Sequence, residues 1–130
     1  MKILFILAFA IIIAGCSKTE NSDDYGSKVV GNYSSTDAAD LSTLKVEVVD
    51  KNTLTFTMLT PDGSGDFDKR VFDQIKINAD FTFVQESHSH GMVQTMANGD
   101  IYNFDCSGSG HFTNNAIYFQ NTYLTYNGSR

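Results

Sequence analysis

The chain has 130 residues and a formal net charge of −6, from 9 basic and 15 acidic side chains. This length suits one domain rather than two. Because an acidic chain repels polyanions, we expect a single domain that does not bind nucleic acid.

The chain begins with a distinct segment, residues 1–15. Lys2 precedes an unbroken apolar run at 3–14. A helix needs about 20 apolar residues to cross a bilayer, so this shorter run behind a positive charge is typical of a signal peptide.

The end of that segment, Ile13-Ala14-Gly15-Cys16, resembles the bacterial lipobox, in which an aliphatic residue and two small residues precede a cysteine. The resemblance implies that the leader is removed before Cys16. It also implies a diacylglyceryl group on the Cys16 sulfur and, usually, a further acyl chain on the new amino terminus. Two or more acyl chains hold a protein lastingly to a bilayer, whereas one does so only reversibly. The alternative is an ordinary secreted protein with a chance cysteine at this position.

The residue after the cysteine bears on the destination. Ser17 stands where an Asp would resemble a signal for retention in the inner membrane, so the sequence favours the outer membrane. The leaflet, periplasmic or surface-facing, stays open. If Cys16 is lipidated, Cys106 is the remaining thiol, and the fold must hold without an intrachain disulfide.

Residues 17–28 contain one aromatic and no aliphatic side chain, so they bury too little apolar surface to offset their ordering entropy. The sequence therefore predicts three parts. These are a signal peptide at 1–15, a lipidated cysteine with a flexible tether at 16–28, and an all-β domain at 29–130.

From residue 29 onward, apolar side chains recur at every second position, the spacing of strands with one buried face. Three hairpins are predicted, with turns at 50–52, 78–80 and 113–115. The inward residues are Leu44, Val46, Val48, Leu54, Phe56 and Met58 in the first hairpin and Ile75, Ile77, Phe81 and Phe83 in the second. The third joins an arm through Tyr102, Phe104 and Cys106 toward His111-Phe112 with an arm through Ile117, Phe119 and Tyr123-Leu124. Gly108 and Gly110 lie in that first arm, where missing side chains permit a bulge or a sharp bend.

A first strand near 30–33 and a weak one at 92–96 bring the count to about eight strands in meander order. The predicted fold class is all-β, an antiparallel meander that forms a closed or partly open small barrel, with a β-sandwich as the alternative. Closure is favoured because it leaves no unpaired edge.

Three features carry a second resemblance: Gly31-Asn32-Tyr33, the hairpin at 48–56, and Gly108-Ser109-Gly110 before Asn114-Asn115-Ala116-Ile117. Together they resemble small lipocalin-like lipoproteins of the calycin type. The resemblance implies a meander barrel. Lipocalins carry a Trp after the first glycine, and this chain has none.

Two patterns could supply metal ligands. His88 and His90 on one strand face, with His111 from another strand, could offer imidazoles to zinc or copper, but they do not make a full ligand set. Acidic and hydroxyl side chains at 62–73 follow the spacing of a calcium loop, namely Asp62, Ser64, Asp66, Asp68 and Asp73. Phe67 stands where such a loop needs glycine, so a solvated hairpin loop is the simpler interpretation. We therefore predict neither a metal nor a cofactor.

The sequence contains no assembled catalytic motif. The stretch Ser107-Gly108-Ser109-Gly110 lacks the strand-turn-helix setting of a nucleophilic serine. Cys106 and His111 would lie about 16 Å apart on one extended strand, too far for a dyad. We therefore predict that the protein is not an enzyme.

The chain is rich in aromatic residues, most of which should be core. Tyr118 and Tyr126 fall out of phase with the inward positions, so they are candidates for outward rings that contact protein or glycan. Cross-strand packing on an exposed sheet face is the alternative. The predicted function is that of a membrane-anchored envelope lipoprotein, a binding or accessory module for a small apolar ligand, a glycan or a partner protein. The alternatives are a ligand-free structural or envelope-assembly lipoprotein and, third, an envelope enzyme.

Overall fold

The structure is a computed structural model that describes residues 23–85, 93–103 and 108–128, with only the backbone described at positions 85, 93 and 103. A short 3₁₀ turn, Gly26–Lys28, precedes the strands. The strands are β1 Gly31–Ser35, β2 Thr43–Asp50, β3 Thr53–Pro61, β4 Phe67–Ile77, β5 Thr82–Gln85, β6 Val93–Thr95, β7 Ile101–Asn103, β8 Gly108–Phe112, β9 Ala116–Phe119 and β10 Thr122–Tyr126.

Eight of these strands close into a small antiparallel barrel. Their order around the ring is β1-β2-β3-β4-β5-β8-β9-β10, and β10 pairs with β1 to complete it. The chain runs up and down from neighbour to neighbour, so the predicted meander and barrel are confirmed and the sandwich alternative is wrong. Within the described residues, no helical segment has the length and apolarity that crossing a bilayer requires.

One hairpin, β6–β7, lies outside the ring. It attaches to β4, which pairs with β6 at Lys69–Val71 and with β5 only at Lys76 and Ile77. β4 can serve both neighbours because it has 11 residues, whereas β5 has 4.

The barrel interior is filled by aromatic rings. Phe56 lies at the centre, with its ring centroid 5.2 Å from those of Phe83 and Phe119 and 6.0 Å from that of Phe112. Phe72 contacts Phe119 at 5.0 Å. Most of these pairs meet edge to face, the arrangement that the ring quadrupole favours. The buried apolar residues are Val29, Tyr33, Leu44, Val46, Leu54, Phe56, Met58, Phe72, Ile75, Ile77, Phe83, Phe112, Ile117, Phe119 and Leu124.

The first two predicted hairpins are confirmed, with two exceptions. Phe81 has a φ of 61° and belongs to the turn before β5, where it is only partly buried. The other exception is at the end of β2. Val48 was expected inside, but 42% of its surface is exposed. It lies beside a β-bulge between Val48 and Asp50, which breaks the alternation there.

The third predicted hairpin forms only in part. β8 and β9 meet across 113–115 as expected, but Tyr102 belongs to β7, pairs with β6, and is 53% exposed rather than inward. A second turn follows at Gln120 and Asn121, both with positive φ, so the second arm is two strands. Phe104 and Cys106 lie outside the described residues.

The two glycines of β8 are not the sites of a bulge, because the β5–β8 register runs without a shift from Thr82↔His111 to Gln85↔Gly108. Gly110 has another role. A Cβ there would clash with the Tyr118 carbonyl oxygen and the Phe83 ring, so the missing side chain lets that ring pack against β8.

The segment before β1 is fastened to the barrel. The Gly26 N–H donates to the Lys51 carbonyl at 2.9 Å, and the Tyr25 N–H donates to the Asn52 side chain. The Asp24 carboxylate accepts from the Ser27 N–H, which lowers the pKa of Asp24. The described chain therefore enters the barrel at the end that carries the β2–β3, β4–β5 and β8–β9 turns, which we call the tether end.

Candidate binding surface

Charged residues divide the barrel into two walls. The neighbouring strands β5, β8, β9, β10 and β1 contain no Asp, Glu, Lys or Arg, and we call them the uncharged wall. The charged wall is β2, β3 and β4. Its charged residues are Lys45, Glu47, Asp50, Asp68, Lys69, Arg70, Asp73 and Lys76.

A row of rings crosses the outer face of the uncharged wall. His111, Tyr118 and Tyr123 are directly opposite one another on β8, β9 and β10. The centroids of Tyr118 and Tyr123 are 4.7 Å apart, and those of His111 and Tyr118 are 5.7 Å apart. Tyr123 is 58% exposed, whereas His111 and Tyr118 are partly exposed. We call these three residues the aromatic row.

The strand residues beside the aromatic row are neutral and polar, and one carboxylate, Asp80 of the turn before β5, accepts from the Thr82 hydroxyl at 2.6 Å. The Tyr118 hydroxyl donates to the Asn121 side chain at 3.2 Å, which holds the ring at one end. Thr82 continues the row onto β5, opposite His111. Thr125 of β10 is exposed on the same wall. Hydroxyl and amide groups of this kind can donate and accept hydrogen bonds without carrying a charge.

A groove of about 330 Å³ lies beside the aromatic row, a volume at the lower end of the range of small-ligand sites. The groove is open because the Ser109 side chain is small. Ser109 lies opposite Val84 of β5 and two residues before His111 on β8. The lining residues are Thr82, Phe83, Val84, Ser109, Gly110, His111 and Tyr118. Row and groove therefore form one continuous surface.

A second groove, of about 540 Å³, opens at the tether end of the barrel. Its apolar part comes from Val29, Phe81 and Phe112, and its polar part from Lys28 and the turn at 113–115. Phe81 is held in place by an edge-to-face contact with Tyr25, at 5.9 Å.

The two tyrosines predicted to face outward behave differently. Tyr118 lies on the outer face. Its ring contacts with His111 and Tyr123 are compatible both with a surface that binds protein or glycan and with simple cross-strand packing. Tyr126 is not free of the core, since its ring packs on Tyr33 at 5.4 Å and covers the backbone of Gly31. Glycine is required at position 31 for two reasons. Its φ is 143°, which other residues rarely adopt, and a Cβ there would clash with the Tyr126 ring.

Sequence reasoning misses Tyr123, because the predicted arm through Tyr123-Leu124 gives it no outward role. Leu124 is completely buried, so strand alternation places Tyr123 outside. Recognition of the turn at 120–121 would have revealed this, because that turn sets the phase of β10.

The calcium-loop spacing does not produce a site. The residues of that pattern are spread along a hairpin in which Pro61 pairs with Phe67, and Asp73 lies well along β4. The Asp62 carboxylate accepts from the Ser64 N–H and hydroxyl, and the hydroxyl contact is the main reason that the pKa of Asp62 is lowered. Among the residues that the structure describes, no three potential ligands of His, Cys, Asp or Glu type converge.

Other predicted chemistry falls on undescribed positions. Cys16, the lipidation candidate, lies outside the described residues, as do His88 and His90 of the imidazole pattern and Cys106. Of the three histidines only His111 can be placed, and it belongs to the aromatic row.

One part of the charged wall leaves polar atoms unpaired. Arg70 Nε and Asp73 Oδ1 are buried and have no hydrogen-bond partner among the described residues. Both lie on β4 near the place where its pairing passes from β6 to β5. The segments 86–92 and 104–107, which connect to these strands, are outside the description, so no site is assigned there.

Comparison of the chain with models of known protein families, with curated proteins and with solved structures found no match.

Proposed function

We propose that the protein is a lipid-anchored envelope lipoprotein and that its barrel is a binding or accessory module, not an enzyme, that contacts its partner through the uncharged wall. The aromatic row carries this proposal. Exposed rings on a wall without charged side chains offer contact area that costs little to desolvate.

The anchor rests on the sequence. Ile13-Ala14-Gly15-Cys16 lies at the end of a short apolar run, and Asp23 is held to the barrel because its carbonyl accepts from the Asn52 side chain at 3.1 Å. Seven residue steps separate Cys16 from Asp23 and span at most about 25 Å at 3.3–3.6 Å each. An anchored barrel therefore stays close to the bilayer, at the outer membrane in our proposal.

The packed interior supports an outer rather than an inner binding surface. Phe56, Phe83 and Phe119 meet within 5.7 Å of one another at the barrel centre, where a carrier of small apolar ligands would need open space. On the outer surface, in contrast, the Tyr123 side chain is 58% exposed.

The anchor is tested with the two cysteines of the chain as each other's control. Cells that express the full chain are labelled with a radioactive fatty acid. We expect label and detergent-phase partitioning for the wild type and for Cys106→Ala, and neither for Cys16→Ala. Label that persists in Cys16→Ala overturns the proposed anchor.

The binding role is tested by photo-crosslinking in intact cells. A benzophenone amino acid replaces Ser109, exposed on the uncharged wall, or Lys45, exposed on the charged wall. We expect a discrete adduct from position 109 and none from position 45. No adduct at either position, or the same adducts at both, contradicts a binding role for the uncharged wall.

A second candidate function is a ligand-free structural or assembly component. The filled barrel interior favours it, since the same rings stabilise a solid scaffold. The crosslinking experiment separates the two candidates, because a scaffold without a partner on the uncharged wall gives no adduct specific to position 109.

A further inference from the structure

The outer face of the uncharged wall restricts the chemistry of its partner. We infer that the aromatic row and its neighbouring groove bind an uncharged glycan, a chain of neutral sugar rings. This inference rests on the proposed function and names the ligand class of the same surface.

The charge distribution of the molecule disfavours a charged ligand. The chain carries a net charge of −6, yet five adjacent strands contain no charged residue. A polyanionic glycan would be repelled by the whole molecule and would find no Lys or Arg on these strands to pair with. An anionic bilayer surface is disfavoured for the same reason, because interfacial binding uses basic side chains beside apolar ones.

The aromatic row combines ring faces with neutral hydrogen-bonding groups, which suits sugar rings. Sugar rings present flat patches of C–H groups that pack against aromatic faces, and their hydroxyls need donors and acceptors at the edges. Tyr118 and Tyr123 supply adjacent rings whose centroids are 4.7 Å apart and whose planes are tilted by 46°, with Tyr123 the more exposed of the two. Asn121 and Thr125 supply neutral polar groups nearby. Protein–protein contacts are enriched in both aromatic residues and arginine, and this wall contains only the first of these.

The aromatic row and the groove form one continuous surface. The row crosses β8, β9 and β10, and the groove extends the surface across β5, past Ser109 to Val84. A surface that crosses four strands at about 4.8 Å each is long enough for several sugar units, and an extended chain suits it better than one small molecule.

The test uses the full-length protein in a sugar-free detergent such as lauryldimethylamine oxide. Cellohexaose, maltohexaose and mannohexaose are the neutral probes, hexagalacturonate is the anionic probe, and binding is measured by calorimetry. We expect at least one neutral probe to bind, with dissociation constants in the millimolar range or tighter, and the anionic probe not to bind.

Matched variants locate the site. Tyr123→Ala removes an exposed ring from the row, and Tyr102→Ala removes a similarly exposed ring from β7, outside the wall. Loss of one stacked ring should weaken binding about tenfold in Tyr123→Ala. Tyr102→Ala should bind like the wild type. Thermal unfolding of both variants shows whether the fold is kept.

The outcomes separate this inference from the proposed function. If no neutral probe binds, or if Tyr123→Ala and Tyr102→Ala bind alike, the glycan inference is wrong. If the adduct at position 109 then yields peptides of a second protein by mass spectrometry, the wall binds a protein and the binding role stands without the glycan. If no adduct forms either, both fail.

Discussion

The charged and uncharged walls of the barrel are alike inside and different outside. Phe56 and Phe72 come from the charged wall, and Phe83 and Phe119 come from the uncharged wall, yet all four meet in one core cluster. One wall carries all the charged residues of the barrel strands, and the other carries the aromatic row on its outer face. Folding requires apolar side chains at the inner positions of every strand. The outer positions are not constrained in this way, so the side chains of the two walls can differ there.

The shared core gives the largest expected effect. Phe56→Ala removes the ring that joins the two walls, so we expect the free energy of unfolding to fall by about 3–5 kcal/mol. Urea unfolding followed by circular dichroism measures it. The control, Phe67→Ala, truncates a ring that is 50% exposed and should change stability by less than about 0.5 kcal/mol. Similar losses in both variants would mean that Phe56 does not join the walls.

The close approach at Gly110 gives the next largest effect, and it is confined to the uncharged wall. Gly110→Ala places a methyl group against the Phe83 ring and the Tyr118 carbonyl, so we expect a loss of about 1–3 kcal/mol. The control, Gly108→Ala, adds a methyl group whose nearest contact is Gln120 Nε2 at 3.8 Å, an ordinary distance. Equal unfolding midpoints for the two variants would contradict the tight packing of β8 on Phe83.

The ion pair of the charged wall should contribute little to stability. Lys45 Nζ and Glu47 Oε1 are 2.7 Å apart, but both side chains are at least half exposed. A double-mutant cycle with Lys45→Ala and Glu47→Ala should give a coupling energy of about 0.2–1 kcal/mol. A coupling well above this range would mean that surface charge stabilises the charged wall far more than its exposure suggests.

The smallest expected effect is a pH dependence at the turn before β5. Asp80 accepts from the Thr82 hydroxyl at 2.6 Å and from its N–H at 3.1 Å, and the hydroxyl contact is the main cause of a lowered pKa for Asp80. A carboxyl group whose folded pKa is depressed stabilises the fold above its unfolded pKa, near 3.9, and loses this contribution as the pH falls through the folded value.

An NMR titration of the Asp80 carboxyl carbon checks this prediction. Thr82→Val removes the hydroxyl and should raise the pKa of Asp80 toward its ordinary value. An unchanged pKa in that variant would show that the hydroxyl is not the cause.

Much of the fold could be predicted because the alternation of apolar and polar residues along a strand shows which side chains are buried. Leu54, Phe56 and Met58 are placed correctly by their spacing alone. The predicted number of eight strands matches the ring, but the predicted strand at 92–96 is β6, outside the ring, and the predicted last arm is two strands, β9 and β10. The errors occur where the spacing is interrupted. The bulge after Val48 and the turn at 120–121 each break the alternation, and Gln-Asn is not a common signal for a two-residue turn.

The candidate surface was harder to predict for a different reason. Tyr118 was identified as outward, but its neighbours His111 and Tyr123 come from two other strands, and one sequence does not state the register that brings them together. The absence of charge along β5, β8, β9, β10 and β1 is visible in the sequence. Only the ring order of the strands shows that these five segments are neighbours.

The lack of ionic side chains on the uncharged wall also has an environmental consequence. Contacts made through rings, hydroxyls and amides are not screened by dissolved ions, whereas contacts between opposite charges weaken as salinity rises. A contact made only through this wall should therefore depend little on ionic strength.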